Sequence, residues 1–302
     1  MWLYLGIFSA VFLGLYDVSR KHALRLNAVI PVLFFATVAE TLLLLPIVLL
    51  SFLSPELLIR LGLYIPQFDF TAHLHFIAKA VLVSSMWLLA YFSMKHLPIS
   101  IFSPLSASIP AWTLLGAILI FGERLTGLQW VAFCILFVSY FFFSILGSRE
   151  GIIFHTNKWV IFLFMAILLA AASGLYDKYL VQKLGLSPIG VLVWCMFYMI
   201  PLLGFLLVAL WMPRKNKFLP FEWRWTIPFI GLMLGISDIA YFKAVACEGT
   251  LISLLAAVRS SAVVVSFLAG ALLFGEVRIR YKALALAGVL AGLFILFIPN
   301  PH

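Results

Sequence analysis

Residues 2–24 read Trp2-Leu3-Tyr4-Leu5-Gly6-Ile7-Phe8-Ser9-Ala10-Val11-Phe12-Leu13-Gly14-Leu15-Tyr16-Asp17-Val18-Ser19-Arg20-Lys21-His22-Ala23-Leu24. The run is apolar for its first fifteen positions and closes on a short polar motif, Gly14-Leu15-Tyr16-Asp17. A hydrocarbon layer about 30 Å thick is crossed by about 20 apolar residues in helical form. Backbone groups inside lipid must be satisfied within the segment, so the run predicts a membrane-spanning helix. The chain enters it directly, with no basic segment before it, so it reads as a first span and not as a cleaved signal.

The rest of the chain repeats the pattern. Ten apolar runs follow one another: Trp2–Leu24, Val29–Leu53, Ala72–Met94, Ile99–Phe121, Gly127–Leu146, Trp159–Val181, Ile189–Met212, Trp225–Val245, Leu251–Phe274 and Ile279–Ile298. The stretch Ser54–Thr71, with Pro55, Arg60, Pro66 and Asp69, reads as an irregular link along the interface. Trp2, Trp130, Trp159, Trp211, Trp223, Trp225 and Tyr281 sit near span ends, as aromatic belts require. Composition agrees: 65% of the 302 residues are hydrophobic and 10% charged, with a mean hydropathy of +1.17. A soluble domain carries about 25% charged residues. A chain with so few takes lipid as its solvent. The net charge of +9 is carried mostly by short loops, where basic residues orient helices in the bilayer and do not bind nucleic acid. Cys134, Cys195 and Cys247 are scattered in apolar runs and offer neither a disulfide framework nor a metal spacing. His73 and His75, two apart, diverge on a helix and make a poor metal pair.

The closing motif of the first span recurs. Gly14-Leu15-Tyr16-Asp17 returns as Gly174-Leu175-Tyr176-Asp177 late in the sixth span; Tyr91-Phe92 returns as Tyr241-Phe242; Phe121-Gly122-Glu123 returns as Phe274-Gly275-Glu276. The three matches keep their order. Each half, residues 1–148 and 156–302, then holds five spans. An odd number makes the second half enter from the opposite side, an inverted repeat of the kind used for alternating access.

These residues resemble the drug/metabolite transporter superfamily in its ten-helix EamA-like branch. The resemblance is carried by Tyr91-Phe92-Ser93-Met94-Lys95, Pro110, Gly116, Phe121-Gly122-Glu123-Arg124-Leu125-Thr126 and Gln129-Trp130; in the second half Phe274-Gly275-Glu276 is followed by Val277-Arg278 instead. It implies spans 1, 3, 4, 6, 8 and 9 around a central cavity, and spans 5 and 10 clasping the halves. It also implies cytoplasmic termini. The loops after spans 1, 3, 5, 7 and 9 carry most of the lysines and arginines, against Arg60, Arg124, Lys178, Lys183 and Lys243 on the other side. The positive-inside rule therefore places both termini outside.

Candidate site residues follow from depth and facing. Ser103, Ser106, Pro110 and Thr113 fall within about 80° on the fourth span. Their counterparts 153 positions on are Ala256, Arg259, Val263 and Ser266. Pro104 and Pro110 are expected to bend that span and free carbonyls. Arg259 lies about 12 Å along the ninth span. A charge at that depth costs a few kcal/mol and must face a cavity or a partner. It is the expected ligand of an anionic group; the alternative is a pair with Glu40, Asp238 or another carboxylate. Asp238 with Tyr241, and Trp87 with Tyr91 as an aromatic wall, complete the solute-binding set with Ser103, Ser106 and Ser266. Glu40, about 17 Å into the second span, is a candidate proton carrier or the partner of Lys79. Asp17 and Asp177 are further coupling candidates; the alternative is a wetted helix end. Gly231-x-x-x-Gly235 and Gly288-x-x-x-Gly292 permit close helix contact.

No phosphate-cradling loop, His-Glu-x-x-His or Gly-x-Ser-x-Gly appears, so no ATPase or hydrolase chemistry is expected. The expectation is a secondary transporter for a small anionic or zwitterionic metabolite, such as an amino acid or a phosphorylated compound, in the bacterial inner membrane. Its partners are then that solute and the lipid bilayer. It needs no cofactor, metal or nucleic acid and works as a monomer or homodimer. The alternatives are a proton-coupled exporter of cationic drugs or amines, a lipid-translocating or accessory subunit on the same scaffold, and an intramembrane enzyme of lipid metabolism.

Overall fold

The computed structural model describes residues 1–97, 102, 105–106, 108–145, 158–214, 220–265 and 279–296. They form helices α1 (Trp2–Leu24), α2 (Val29–Leu53), α3 (Pro55–Leu61), α4 (Phe70–His96), α5 (Ile109–Phe121) and α6 (Gly127–Ile145). These are followed by α7 (Lys158–Lys178), α8 (Pro188–Leu206), α9 (Thr226–Ala246), α10 (Ile252–Ser260) and α11 (Ile279–Leu296). Wider π turns continue α7 over Tyr179–Lys183 and α8 over Leu207–Trp211. Six helices are long and apolar enough to cross a membrane, and α5, α6, α10 and α11 contribute shorter apolar segments.

The apolar runs predict these elements closely. α1 and α2 have the expected bounds; α4 is longer by two residues at each end, and Asp69 caps its start. The Asp69 carboxylate accepts the Ala72 N–H (3.1 Å) and the Thr71 hydroxyl (2.6 Å). Those two donors hold its pKa below the ordinary carboxylate range. In the fourth and ninth runs the described helices are Ile109–Phe121 and Ile252–Ser260, the latter continued past a turn at Ser261 to Val265. The link at Ser54–Thr71 departs from the irregular expectation. Pro55 stands in the first turn, where its missing N–H costs nothing, and Gly62 ends α3 at φ 63°. Pro110 likewise falls in the first turn of α5. Pro104 lies outside the described residues.

Packing crosses between the halves of the sequence. α1 and α2 both lie along α9, α4 lies along α7 and α8, and α5 meets α7 and α10. α6 and α11 pair with each other. The main core joins α1, α2, α4, α7, α8 and α9, through residues such as Leu33, Phe76, Tyr91, Leu192 and Met199. A second cluster joins α5, α6, α10 and α11 through Leu114, Leu136, Val258 and Val289. The outer faces are large and apolar: Leu53, Phe70, Leu119, Phe205 and Phe294 are each at least 70% exposed. Water would not tolerate such a surface; lipid does.

Small residues set the closest crossings. A side chain on Gly231 would meet the Ala36 carbonyl oxygen, the Glu40 nitrogen (2.6 Å) and Ala39 Cβ (2.9 Å), so the α2 backbone lies directly against α9. On α11, Gly288 faces Ser139 and Gly292 faces Leu136 of α6. Both glycine stripes therefore lie in contacts. The two α9 glycines differ in what they touch. Gly231 abuts backbone, whereas a Cβ on Gly235 would meet the end of the Leu43 side chain (2.8 Å), which can turn aside. Gly231→Ala is therefore expected to cost about 1–3 kcal/mol and lower the melting temperature of the purified protein in detergent. Gly235→Ala should cost less than half as much. Equal losses would show that the backbone contact at Gly231 is not what limits the crossing.

Candidate functional site

Along a helix in lipid every charged side chain needs a local answer. Here the answers meet at the α2–α4–α7–α9–α10 junction. Lys79 of α4 is 2.7 Å from Asp177 of α7 and donates to the Ser173 carbonyl oxygen (2.9 Å) and hydroxyl (2.5 Å). The Tyr241 hydroxyl of α9 donates to Asp177 Oδ2 at 3.1 Å. The Arg259 guanidinium of α10 stands over the Tyr241 ring, 4.3 Å from its centroid, and forms an ion pair with Asp238. Glu40 of α2 is wholly buried beside Asp238 and Arg259. Its carboxylate oxygens have no hydrogen-bond partner among the described residues. Cys195 of α8 is buried close to Lys79, Asp177, Glu40 and Asp238. The network holds three carboxylates and two cations, contributed by five helices.

A second network lies between α1 and α4. Arg20 pairs with Asp17 (2.7 Å) and donates to the Tyr16 hydroxyl (3.1 Å), which lies 3.2 Å from the Tyr91 hydroxyl. The rings of Tyr16, Tyr91 and Phe102 surround the guanidinium at 4.8, 5.1 and 5.9 Å. Helix α1 also lies along α9. Between them, Ser9 of α1 and Ser237 of α9 exchange a 2.9 Å hydroxyl contact.

The expected site residues thus divide. Arg259, Asp238, Tyr241, Asp177 and Glu40 come together in one network. Tyr91 and Asp17 belong to the other. Trp87 is buried in the apolar core, one turn from Tyr91. Ser106 is half-buried. Ser103 and Ser266 lie outside the described residues. Lys79 pairs with Asp177 and not with Glu40, because α4 packs along α7 over much of its length. Asp177 is buried, not a wetted helix end, while Asp17 keeps a third of its side-chain surface exposed. His73 and His75 separate as expected, toward Tyr198 of α8 and Tyr176 of α7.

Four participants escaped notice in the sequence. Ser9, Ser173 and Ser237 carry no signal beyond being hydroxyl residues in apolar runs. Glu123 stands in the repeated Phe-Gly-Glu motif, which marks the fold without announcing a contact. It is 7% exposed and accepts from Lys178 Nζ (2.6 Å), the Ser253 hydroxyl (2.6 Å) and the Ile252 N–H (2.8 Å).

A helical bundle with lipid-facing outer surfaces and a dense ion-pair network inside is a polytopic integral membrane protein. Residues 1–145 match the EamA-like transporter family, of the drug/metabolite transporter superfamily. The fold agrees over almost the whole length with a solved structure titled only as the crystal structure of a protein. Its TM-score is 0.69 at 16% identity, covering 98% of this chain and 95% of the other. No curated protein matches in sequence.

The Arg259–Asp238 pair has a measurable consequence. Arg259→Ala leaves the Asp238 carboxylate without its counter-ion. Removing one member of a buried pair costs on the order of 3–5 kcal/mol, and the partial exposure of this one places it at the lower end. Arg259→Ala is expected to melt early, and the Asp238→Asn second substitution to recover most of the loss. A double variant as unstable as the single one would show that the pair does not carry Arg259's contribution to stability.

Proposed function

We propose that this protein is a secondary transporter that moves a small anionic or zwitterionic metabolite across the bacterial cell membrane by alternating access. Two five-helix halves, residues 1–148 and 156–302, related as inverted repeats, rock about the charged network. The monomer or homodimer is the working unit. The observation that carries the reading is the network itself. Five helices drawn from both halves contribute Lys79, Asp177, Tyr241, Arg259, Asp238 and Glu40 to one buried locus. Buried ion pairs stabilise a membrane bundle poorly for the desolvation they cost, and such groups inside a membrane mark pathways. The repeated motifs also meet: Tyr16 bonds Tyr91 in one half, and Asp177, next to Tyr176, bonds Tyr241 in the other.

In the solute-bound state the anionic group replaces Asp238 at the Arg259 guanidinium, which offers a planar fork of donors. An ammonium on the same solute is received by the freed Asp238. Tyr241 holds the guanidinium plane from below, and Ser106, Trp87 and Tyr91 are the remaining solute-binding candidates among the described residues. Coupling runs through Glu40, which is buried beside Asp238 on α9 and Arg259 on α10. A proton taken up there balances the third carboxylate. Asp17 and Asp177 relay the change toward the two ends. The surplus carboxylate also supports a second reading, in which the solute is itself a cation held by Glu40 and Asp238.

The test is a thermal-shift screen of amino acids, phosphorylated metabolites and organic amines, followed by uptake of the stabilising compounds into proteoliposomes. A ligand that binds the folded protein raises its melting temperature by mass action. Stabilisation by anionic or zwitterionic compounds, at least tenfold weaker binding in Arg259→Lys, and a flattened pH dependence of uptake in Glu40→Gln are expected. Stabilisation by amines alone would give the second reading. Uptake unchanged in Arg259→Lys would remove Arg259 from the site.

A further inference from the structure

α5 ends at Gly122, which adopts the left-handed conformation at φ 63°. That turn lets the next residue, Glu123, leave the helix axis and enter the bundle. The Glu123 carboxylate is then shared by two elements of the other half. Lys178, at the end of α7, donates to Oε1 at 2.6 Å. The first turn of α10 donates the Ile252 N–H at 2.8 Å, the Ser253 N–H at 3.5 Å and the Ser253 hydroxyl at 2.6 Å. A carboxylate at a helix N-terminus satisfies orphan donors and meets the positive end of the helix dipole. The Glu123 side chain is 2% exposed and that of Lys178 9%, so both charges are desolvated.

The place of this knot in the fold gives it a further role. Lys178 follows Asp177, the partner of Lys79 and Tyr241. Ile252 lies two turns before Arg259 on the same helix. One side chain therefore sets the axial position of both charged helices at the end of the bundle where α5 and α7 finish and α10 begins. We propose that Glu123 is a positioning residue and a latch. It clamps α5 to α7 and α10, closes that end of the pathway over the Lys79–Asp177 pair, and releases when that end opens. The role rests on the alternating-access reading above. The clamp is held by charge-assisted bonds, which re-form readily once the groups meet again. An apolar seal of the same area would have no comparable directionality.

The experiment reads local opening without any solute, so its result does not depend on which metabolite is carried. Ile252→Cys places a thiol at the latch, because only the backbone of Ile252 contacts Glu123 and its side chain is 2% exposed. Leu192→Cys, on α8 and 1% exposed, reports on the core away from the latch. Purified protein in detergent is treated with N-ethylmaleimide, which is uncharged and therefore blind to a freed Lys178. Modification is followed peptide by peptide by mass spectrometry, so the native cysteines do not interfere. With Glu123 in place, both thiols should react slowly. With Glu123→Gln, the thiol at 252 should react at least tenfold faster while that at 192 stays protected. Glu123→Asp, which keeps the charge but is one methylene short, should fall between them and serves where Glu123→Gln does not fold. An unchanged rate at 252 would overturn the latch. Equal acceleration at 252 and 192 would overturn it too, by making Glu123 a residue of global stability.

Discussion

A charged group inside a bilayer has no water to answer it, and this constraint organises the molecule. Lys79, Asp177, Asp238, Arg259, Arg20 and Glu123 all lie in or at the ends of apolar helices, and each has a counter-charge beside it. The counter-charges fix which helices are neighbours. Lys79 ties α4 to α7, Asp238 ties α9 to α10, and Glu123 ties α5 to α7 and α10. Apolar packing cannot make such choices, because leucine against leucine is worth about the same as leucine against lipid. Polar contacts therefore specify the arrangement, while small residues such as Gly231 let the backbones come close enough to make it.

The same pairs that specify the arrangement are poorly suited to hold it rigid. Desolvation takes back much of what the Coulomb attraction contributes, so an exchange of partners costs less than either ion pair would suggest. Tyr241 illustrates the point. Its hydroxyl bonds Asp177 and its ring carries Arg259, so it touches both ion pairs without belonging to either. A shift of α9 against α7 or α10 changes both at once.

Much of the fold was legible in the sequence, and the reasons are specific. The bounds of α1 and α2 follow from long, mostly apolar runs, and α4 exceeds its run by two residues at each end, the first pair under the Asp69 cap. The α3 helix is hard to read because Pro55 and Pro66 mark the stretch as irregular, whereas Pro55 opens and Gly62 closes a helix of seven residues. Arg259 and Glu40 were conspicuous as charges at depth, but depth does not reveal partners. Lys79 is one of two readings for Glu40 in the sequence, because both are visible as isolated charges; its neighbour in the structure, Asp177, depends on α4 lying along α7, a tertiary fact. Serines 9, 173 and 237 were illegible for the opposite reason, since a hydroxyl in an apolar run is ordinary until another helix comes beside it.

Glu123 combines both lessons. Its motif was recognised through repetition, and repetition is a statement about fold. Its chemistry appears only when the left-handed turn at Gly122 brings the carboxylate to a helix start that lies 129 residues further along the chain. Gly122 and Glu123 are therefore read best as one unit: the glycine supplies a conformation that other residues rarely adopt, and the glutamate uses it. The neighbouring Arg124 could not replace it, since a guanidinium has no acceptor to offer the Ile252 N–H. A carboxylate can take the helix start and the Lys178 ammonium together, and this double capacity makes one acidic side chain a joint between three helices.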